Sequence, residues 1–175
     1  MKPLIRRFDR YAGERVGSLP KSWYKAFDWL CIIASPIGWA VVILVGLTLA
    51  IYVNNEALVK FSVATLILLP LAEVIKLVFR RPRPLSLYAE SMRLKSYSFP
   101  SGHSYGAALS SGYTFLYISM FISGIWLWMA GLILAVLSIA IAIARVYLKA
   151  HFPSDVTVGL ALGIVTVFLA GWWIL

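Results

Sequence analysis

The sequence predicts an all-α fold: an integral-membrane helical bundle of about five transmembrane helices, preceded by an N-terminal amphipathic helix at the membrane interface. Three observations carry that expectation. Of 175 residues, 61 % are hydrophobic and only 13 % are charged, about half the charge of an ordinary soluble domain. The apolar residues gather into runs long enough to cross roughly 30 Å of hydrocarbon. The basic residues gather between alternate runs instead of spreading along the chain. A soluble all-helical protein would need a polar surface that this composition cannot supply, and the length allows one domain over 1–175.

Residues 1–27 come first. They carry Lys2, Arg6, Arg7, Arg10, Arg15, Lys21 and Lys25. Leu4, Ile5, Phe8, Tyr11 and Ala12 recur at helical spacing, and Arg6, Arg7, Asp9 and Arg10 fill the other face, which predicts a helix lying among lipid headgroups. Trp23, Tyr24 and Trp29 suit an interfacial aromatic belt. The plainer alternative is a frayed polar tail. No cleaved signal peptide is expected, because these residues are too polar for its apolar core and the first apolar run is too long. Cys31, the only cysteine, lies inside that run and excludes an internal disulfide.

Five spans follow, at about 28–53, 57–79, 103–123, 125–148 and 156–175. In lipid, backbone groups must be satisfied within the segment, so each span is helical. Asn54-Asn55-Glu56 and Ser123-Gly124 are short turns that make their neighbours antiparallel. The long connection is 80–102, polar and punctuated by Pro82, Pro84 and Pro100; loops of this length are usually functional. Within it, Leu85 to Lys95 suits a short surface helix. Alternating spans place the N-terminus, the 80–102 loop and the 149–155 turn on one face. Of the 16 Lys and Arg, only Lys60 falls near the other.

Three patches converge on that shared face. Lys76 to Pro84 leaves the second span, Phe99 to His103 enters the third, and Arg145 to Asp155 links the fourth to the fifth. The net charge of +9 is compatible with nucleic acid, anionic lipid or a phosphorylated substrate; in so apolar a chain, nucleic acid gives way to lipid and phosphate. Lys76, Arg83 and Arg145 would repel one another unless an anion with several oxygens lay between them, and phosphate fits best. Ser101 and Gly102 sit where a helix starts, and free N–H groups and the helix dipole there favour an anion. The only two histidines, His103 and His151, both fall in these patches. Either suits nucleophilic or acid–base work near neutral pH, and Asp155, four residues beyond His151, is placed to orient its ring.

Each feature also has a plainer reading. Lys76 and Arg145 suit cations snorkelling from helix ends, and Arg80 to Arg83 suits a topology signal. Ser101 suits a helix cap, Asp155 a first-turn carboxylate, and each histidine a satisfied interfacial residue. It is their meeting on one face that favours chemistry. A metal site is poorly supported, since two histidines and one carboxylate lack tight ligand spacing.

At these residues the chain resembles the type 2 phosphatidic acid phosphatase superfamily. The matching motifs are Lys76 with Arg83-Pro84, Pro100-Ser101-Gly102-His103, and Arg145 with His151 and Asp155. Two departures are visible: Ala144 stands where the family usually has serine, and many members have six spans. The resemblance implies a metal-independent phosphatase, without cofactor, acting on a phosphorylated membrane lipid. His151 would attack phosphorus, Asp155 would hold its imidazole, and His103 would protonate the leaving oxygen and then activate water. Lys76, Arg83, Ser101, Gly102 and Arg145 would bind the phosphoryl oxygens.

Phosphatidic acid, phosphatidylglycerol phosphate, polyprenyl phosphate or diphosphate, and lipid A-type phosphates all remain candidates for the lipid. Tyr88, Met92 and Leu94 are candidates for gating it. The N-terminal basic residues favour a cytoplasmic active face, whereas many members of the family resembled act on the outer side. Three alternatives stay open: a phosphotransferase using an acceptor other than water, a non-catalytic phospholipid-binding protein, and a transporter or channel subunit. The last is disfavoured because no inverted repeat is visible.

Overall fold

The computed structural model describes residues 3–86, 88, 90 and 96–175. Among these there is no strand, and the elements in order are α1 (Pro3–Gly17), a short 3₁₀ turn (Lys21–Trp23), α2 (Tyr24–Ile33), α3 (Pro36–Tyr52), α4 (Glu56–Leu68), α5 (Leu71–Phe79), α6 (Gly102–Ser119), α7 (Gly124–Tyr147) and α8 (Pro153–Ile174). Among the described residues, three stretches are long and apolar enough to cross a membrane: Glu56–Phe79, Gly124–Tyr147 and Pro153–Ile174. A fourth is the bent pair Lys21–Ile33 and Pro36–Tyr52. The chain is a multi-pass membrane protein.

Two details amend the sequence expectation. The first run, taken as one span over 28–53, is broken by a 49° bend between α2 and α3. Ser35 and Pro36 cause it: proline cannot donate to the preceding turn, and the Ser35 hydroxyl accepts from Gly38 N at 3.3 Å to start a new helix. The third run forms α6 but is too poor in apolar residues to count as a span by composition. The reason is its position. α6 packs against α8, α7, α3, α4 and α5, so its composition follows helix contact and not lipid contact.

Small residues and tyrosines do that packing. A Cβ on Gly159 or Gly163 of α8 would lie 2.7 Å from Ser101 O or 2.5 Å from Tyr105 O, so α8 reaches the α6 backbone only because those positions are glycine. Tyr105, Tyr113 and Tyr117 of α6 are buried with Ile43, Leu58, Phe61 and Val167. Their hydroxyls reach Leu68 O at 2.7 Å, Ser62 Oγ at 2.7 Å and Gly46 O at 3.0 Å. The large apolar side chains point outward instead, among them Val45, Leu132, Ile133, Val136, Val165 and Phe168, as they should where the surrounding solvent is hydrocarbon.

α1 is the amphipathic element expected near the N-terminus. Leu4, Phe8 and Tyr11 remain exposed, and the helix contacts α7 and α8. Lys2 lies outside the described residues. So do Met92, Leu94 and most of the surface helix expected over Leu85 to Lys95. Ala144 packs in an apolar cluster with Cys31 and Leu148, flanked by Phe27 and Leu30, where a methyl group is well accommodated.

Candidate active site

The three sequence patches meet at one end of the bundle, around His151. This imidazole is buried, held in the sharp link between α7 and α8. His151 N and Ala150 N both donate to Arg145 O, at 3.3 and 3.0 Å, and Lys149 has a φ of 53°. The decisive contact is Nδ1, 2.8 Å from the Ser98 carbonyl oxygen. A carbonyl can only accept, so Nδ1 carries the hydrogen and a neutral ring has its lone pair on Nε2. That lone pair points at Arg83, whose Nη1 lies 3.2 Å away. Burial comes first, with the charges of Arg145, Arg83 and Lys76 added, and together they hold His151 well below the ordinary histidine range.

The cations come from three elements. Arg83 is clamped in the long loop: Nε donates to Ser96 O at 2.9 Å, Nη2 to Ser96 Oγ at 2.8 Å, and Nη1 to Ala150 O at 3.0 Å. Burial and the neighbouring Arg145 lower Arg83 from its usual value, but a guanidinium stays charged. Arg145, in the last turn of α7, is buried, with its guanidinium 5.9 Å from the Tyr88 ring centroid. Lys76, in the last turn of α5, is also buried and donates to Glu73 Oε1 at 2.6 Å.

Glu73 had no place in the sequence reading. It sits one turn before Lys76, and a Cβ on Gly102 would lie 2.6 Å from its Oε1 and 3.3 Å from Lys76 Nζ. Glycine at 102 thus leaves room for the lysine to approach the start of α6. As at any helix start, the first-turn N–H groups of α6 lack intrahelical partners. Ser101 caps that helix: its hydroxyl accepts from Ser104 N at 3.4 Å, and its own N–H donates to Asp155 O at 3.0 Å. Its side chain and amide are thus engaged in the capping role. His103 follows in the first turn, beside the Cys31 backbone of α2.

Asp155 is placed differently from the expectation. Its Oδ2 lies 3.8 Å from His151 Nδ1, beyond hydrogen-bond range, and Nδ1 meets the Ser98 carbonyl at 2.8 Å instead. The carboxylate instead accepts from Ser98 Oγ, from Phe152 N at 3.0 Å and from Arg81 Nη1. Ser98 therefore touches both members of the pair, and nothing in its local sequence marks it. Arg81 was hidden within an arginine-rich run that reads equally well as a topology signal.

Tyr88 closes one side of the site. It packs with Cys31, Ala144 and Leu148 and donates to Asp28 Oδ1 at 3.1 Å; burial raises its hydroxyl to about 12. No cluster of metal-ligating side chains occurs among the described residues.

A family model described as the PAP2 superfamily matches residues 57–175, which contain every motif residue described above. The chain belongs to the PAP2 superfamily. An undecaprenyl-diphosphatase of Sulfolobus acidocaldarius is 33 % identical over 109 residues, covering 60 % of this chain and 49 % of that protein. The matched segment thus spans about half the length of that curated relative. Two solved structures share the fold. The first transmembrane PAP2 type phosphatidylglycerolphosphate phosphatase from Bacillus subtilis superposes with a TM-score of 0.79 at 21 % identity, covering 98 % of this chain and 87 % of its own. Aquifex aeolicus LpxE gives 0.66 at 19 % identity, covering 91 % and 92 %. At these identities the likeness is one of fold.

Proposed function

We propose that this PAP2 protein is a metal-independent lipid phosphatase that hydrolyses a terminal phosphate or diphosphate of a membrane lipid through a phosphohistidine on His151. The observation that carries the reading is the tautomer. With Nδ1–H held by Ser98 O at 2.8 Å, the Nε2 lone pair faces the side where Arg83 stands at 3.2 Å. A phosphoryl group that docks its oxygens on Arg83, Lys76 and Arg145 brings phosphorus to Nε2. The chain supplies the rest. Nε2 attacks the terminal phosphorus in line, and the bond from phosphorus to the leaving oxygen, of the lipid alcohol in a monoester or of the inner phosphate in a diphosphate, breaks. His103 gives its proton to that oxygen, and the lipid leaves one phosphate shorter. His103 then takes a proton from water, which attacks the phosphohistidine, releases orthophosphate and restores His151. The Gly102 amide and the start of the α6 dipole add to the binding of the oxygens. Ser101 stands as the cap that orients that amide.

Charge stabilisation of this kind is usually a leading part of catalysis, each preorganised donor contributing about 2.7–4 kcal/mol. The imidazole becomes cationic when phosphorylated, and Asp155 lies near enough to offset that charge. The names of the relatives support a membrane lipid with a terminal phosphate, which keeps phosphatidylglycerol phosphate and polyprenyl diphosphate among the candidates. The test is release of inorganic phosphate from a panel of such lipids without added metal, with His151→Ala as control. No release by the wild type, or equal release by the variant, would sink the reading.

We further place the active face on the cytoplasmic side, because the basic residues of segment 1–27 favour that orientation. A cysteine introduced at the exposed Leu85 should resist an impermeant thiol reagent added outside intact cells. Rapid labelling there would reverse the assignment.

A further inference from the structure

Asp9 is a charged residue on a surface helix, yet it is only 8 % exposed. α1 turns it inward, away from the exposed Leu4, Phe8 and Tyr11, and onto the link between α7 and α8. Oδ1 accepts from Ser154 N at 2.8 Å. Oδ2 accepts from Ser154 Oγ at 3.0 Å and from Arg81 Nη2 at 2.7 Å. The other end of the same guanidinium, Nη1, donates to Asp155 and to Ser154 Oγ, the latter at 2.7 Å. The Arg81 plane lies over the Phe152 ring, 4.1 Å from its centroid. Finally, Ser98 N donates to Arg81 O at 2.7 Å. Arg81 thus anchors, through its backbone, the residue that holds His151 Nδ1, and through its side chain, the carboxylate beside it.

We propose that α1 is part of the catalytic unit and that Asp9 is a positioning residue. Its carboxylate locks Arg81 and the first turn of α8, so that Ser98 and Asp155 are set around His151. α1 lies outside residues 57–175 that match the family model, so this role is additional to the shared motifs. Charge gives a second reason beyond geometry. Two carboxylates share one guanidinium, leaving a net negative charge beside a ring that becomes positive when phosphorylated. With Asp9 neutral, Arg81 would offset Asp155 fully and the developing cation would lose that support. Among the cations, Arg83 meets the ring at Nε2, whereas Ser98 holds it at Nδ1.

The proposal rests on the phosphatase reading, and the experiment separates the two. Asp9→Asn is introduced in the full chain in lipid nanodiscs. Glu14→Gln, at an exposed position of the same helix, serves as control. For the lipid that the wild type hydrolyses, Asp9→Asn should lower kcat at least about tenfold, leaving KM and the orthovanadate inhibition constant within about twofold. Glu14→Gln should match the wild type. An unchanged kcat in Asp9→Asn overturns the proposal. So does a parallel loss of kcat, vanadate binding and folded protein, which would make α1 a structural strap only. An inactive wild type would fail the phosphatase reading itself, and the positioning role with it.

Discussion

The two sides of His151 are built on opposite plans. On one side, Asp155, Arg81, Asp9, Ser98 and Ser154 form a closed network in which each charged group meets an opposite charge and each carboxylate takes several donors. On the other, Arg83 stands 3.2 Å from Nε2, and Arg145 and Lys76, the latter paired to Glu73, lie near enough for their charges to act on the ring. The first side is complete without a ligand and can serve as a rigid support. In the proposed reading the second is the side that receives the oxyanion, whose charge would offset the cost of bringing Lys76, Arg83 and Arg145 together.

Three substitutions probe that contrast, beginning with the group between the two sides. His151→Ala should lower phosphate release by about 10⁴-fold or more, as removal of a nucleophile does elsewhere, while the protein still purifies as a folded membrane protein. Turnover within an order of magnitude of wild type would break the contrast at its centre. On the cationic side, Arg83→Gln should reduce kcat/KM by about 10²–10³-fold, the usual effect of losing one donor to a developing charge. Orthovanadate inhibition should weaken with it; unaltered inhibition would remove Arg83 from the oxyanion pocket. On the supporting side, Ser98→Ala keeps the carbonyl that holds Nδ1 and loses the hydroxyl, which donates to Asp155 and lies 3.4 Å from Nδ1. A hydrogen bond to a charged group contributes about 1.5–3 kcal/mol, so kcat should fall roughly tenfold or somewhat more, with vanadate inhibition unaffected. Weakened vanadate inhibition in Ser98→Ala would show that the two sides are not separable.

Most of the motif residues were legible because membrane topology is a strong constraint. Short turns force antiparallel helices, so Lys76, Arg83, Gly102, His103, Arg145, His151 and Asp155 had to share one end. The partners of those residues were less legible. Ser98 carries no sequence signal, because its contribution is a backbone carbonyl as much as a hydroxyl. Arg81 sits among arginines that hydropathy explains equally well. Asp9 reads as one more polar residue on an amphipathic helix until α1 is seen to turn it inward. The bend at Ser35-Pro36 was open to inspection in the sequence, but a long apolar run masked it. The low hydropathy of α6 was equally visible, yet its meaning depends on which helices surround it.

The sequence by itself determined that this chain lives in a bilayer as a helical bundle and gathers cations and both histidines at one end. Hydrocarbon admits few backbone solutions, and charge cannot be hidden within it. Only the tertiary structure decided which atom holds which. Nδ1 meets the Ser98 carbonyl instead of Asp155, and Asp155 is fastened through Arg81 to a helix far away in sequence. Such contacts come from side-chain and backbone directions set by packing, and spacing along a chain does not specify them.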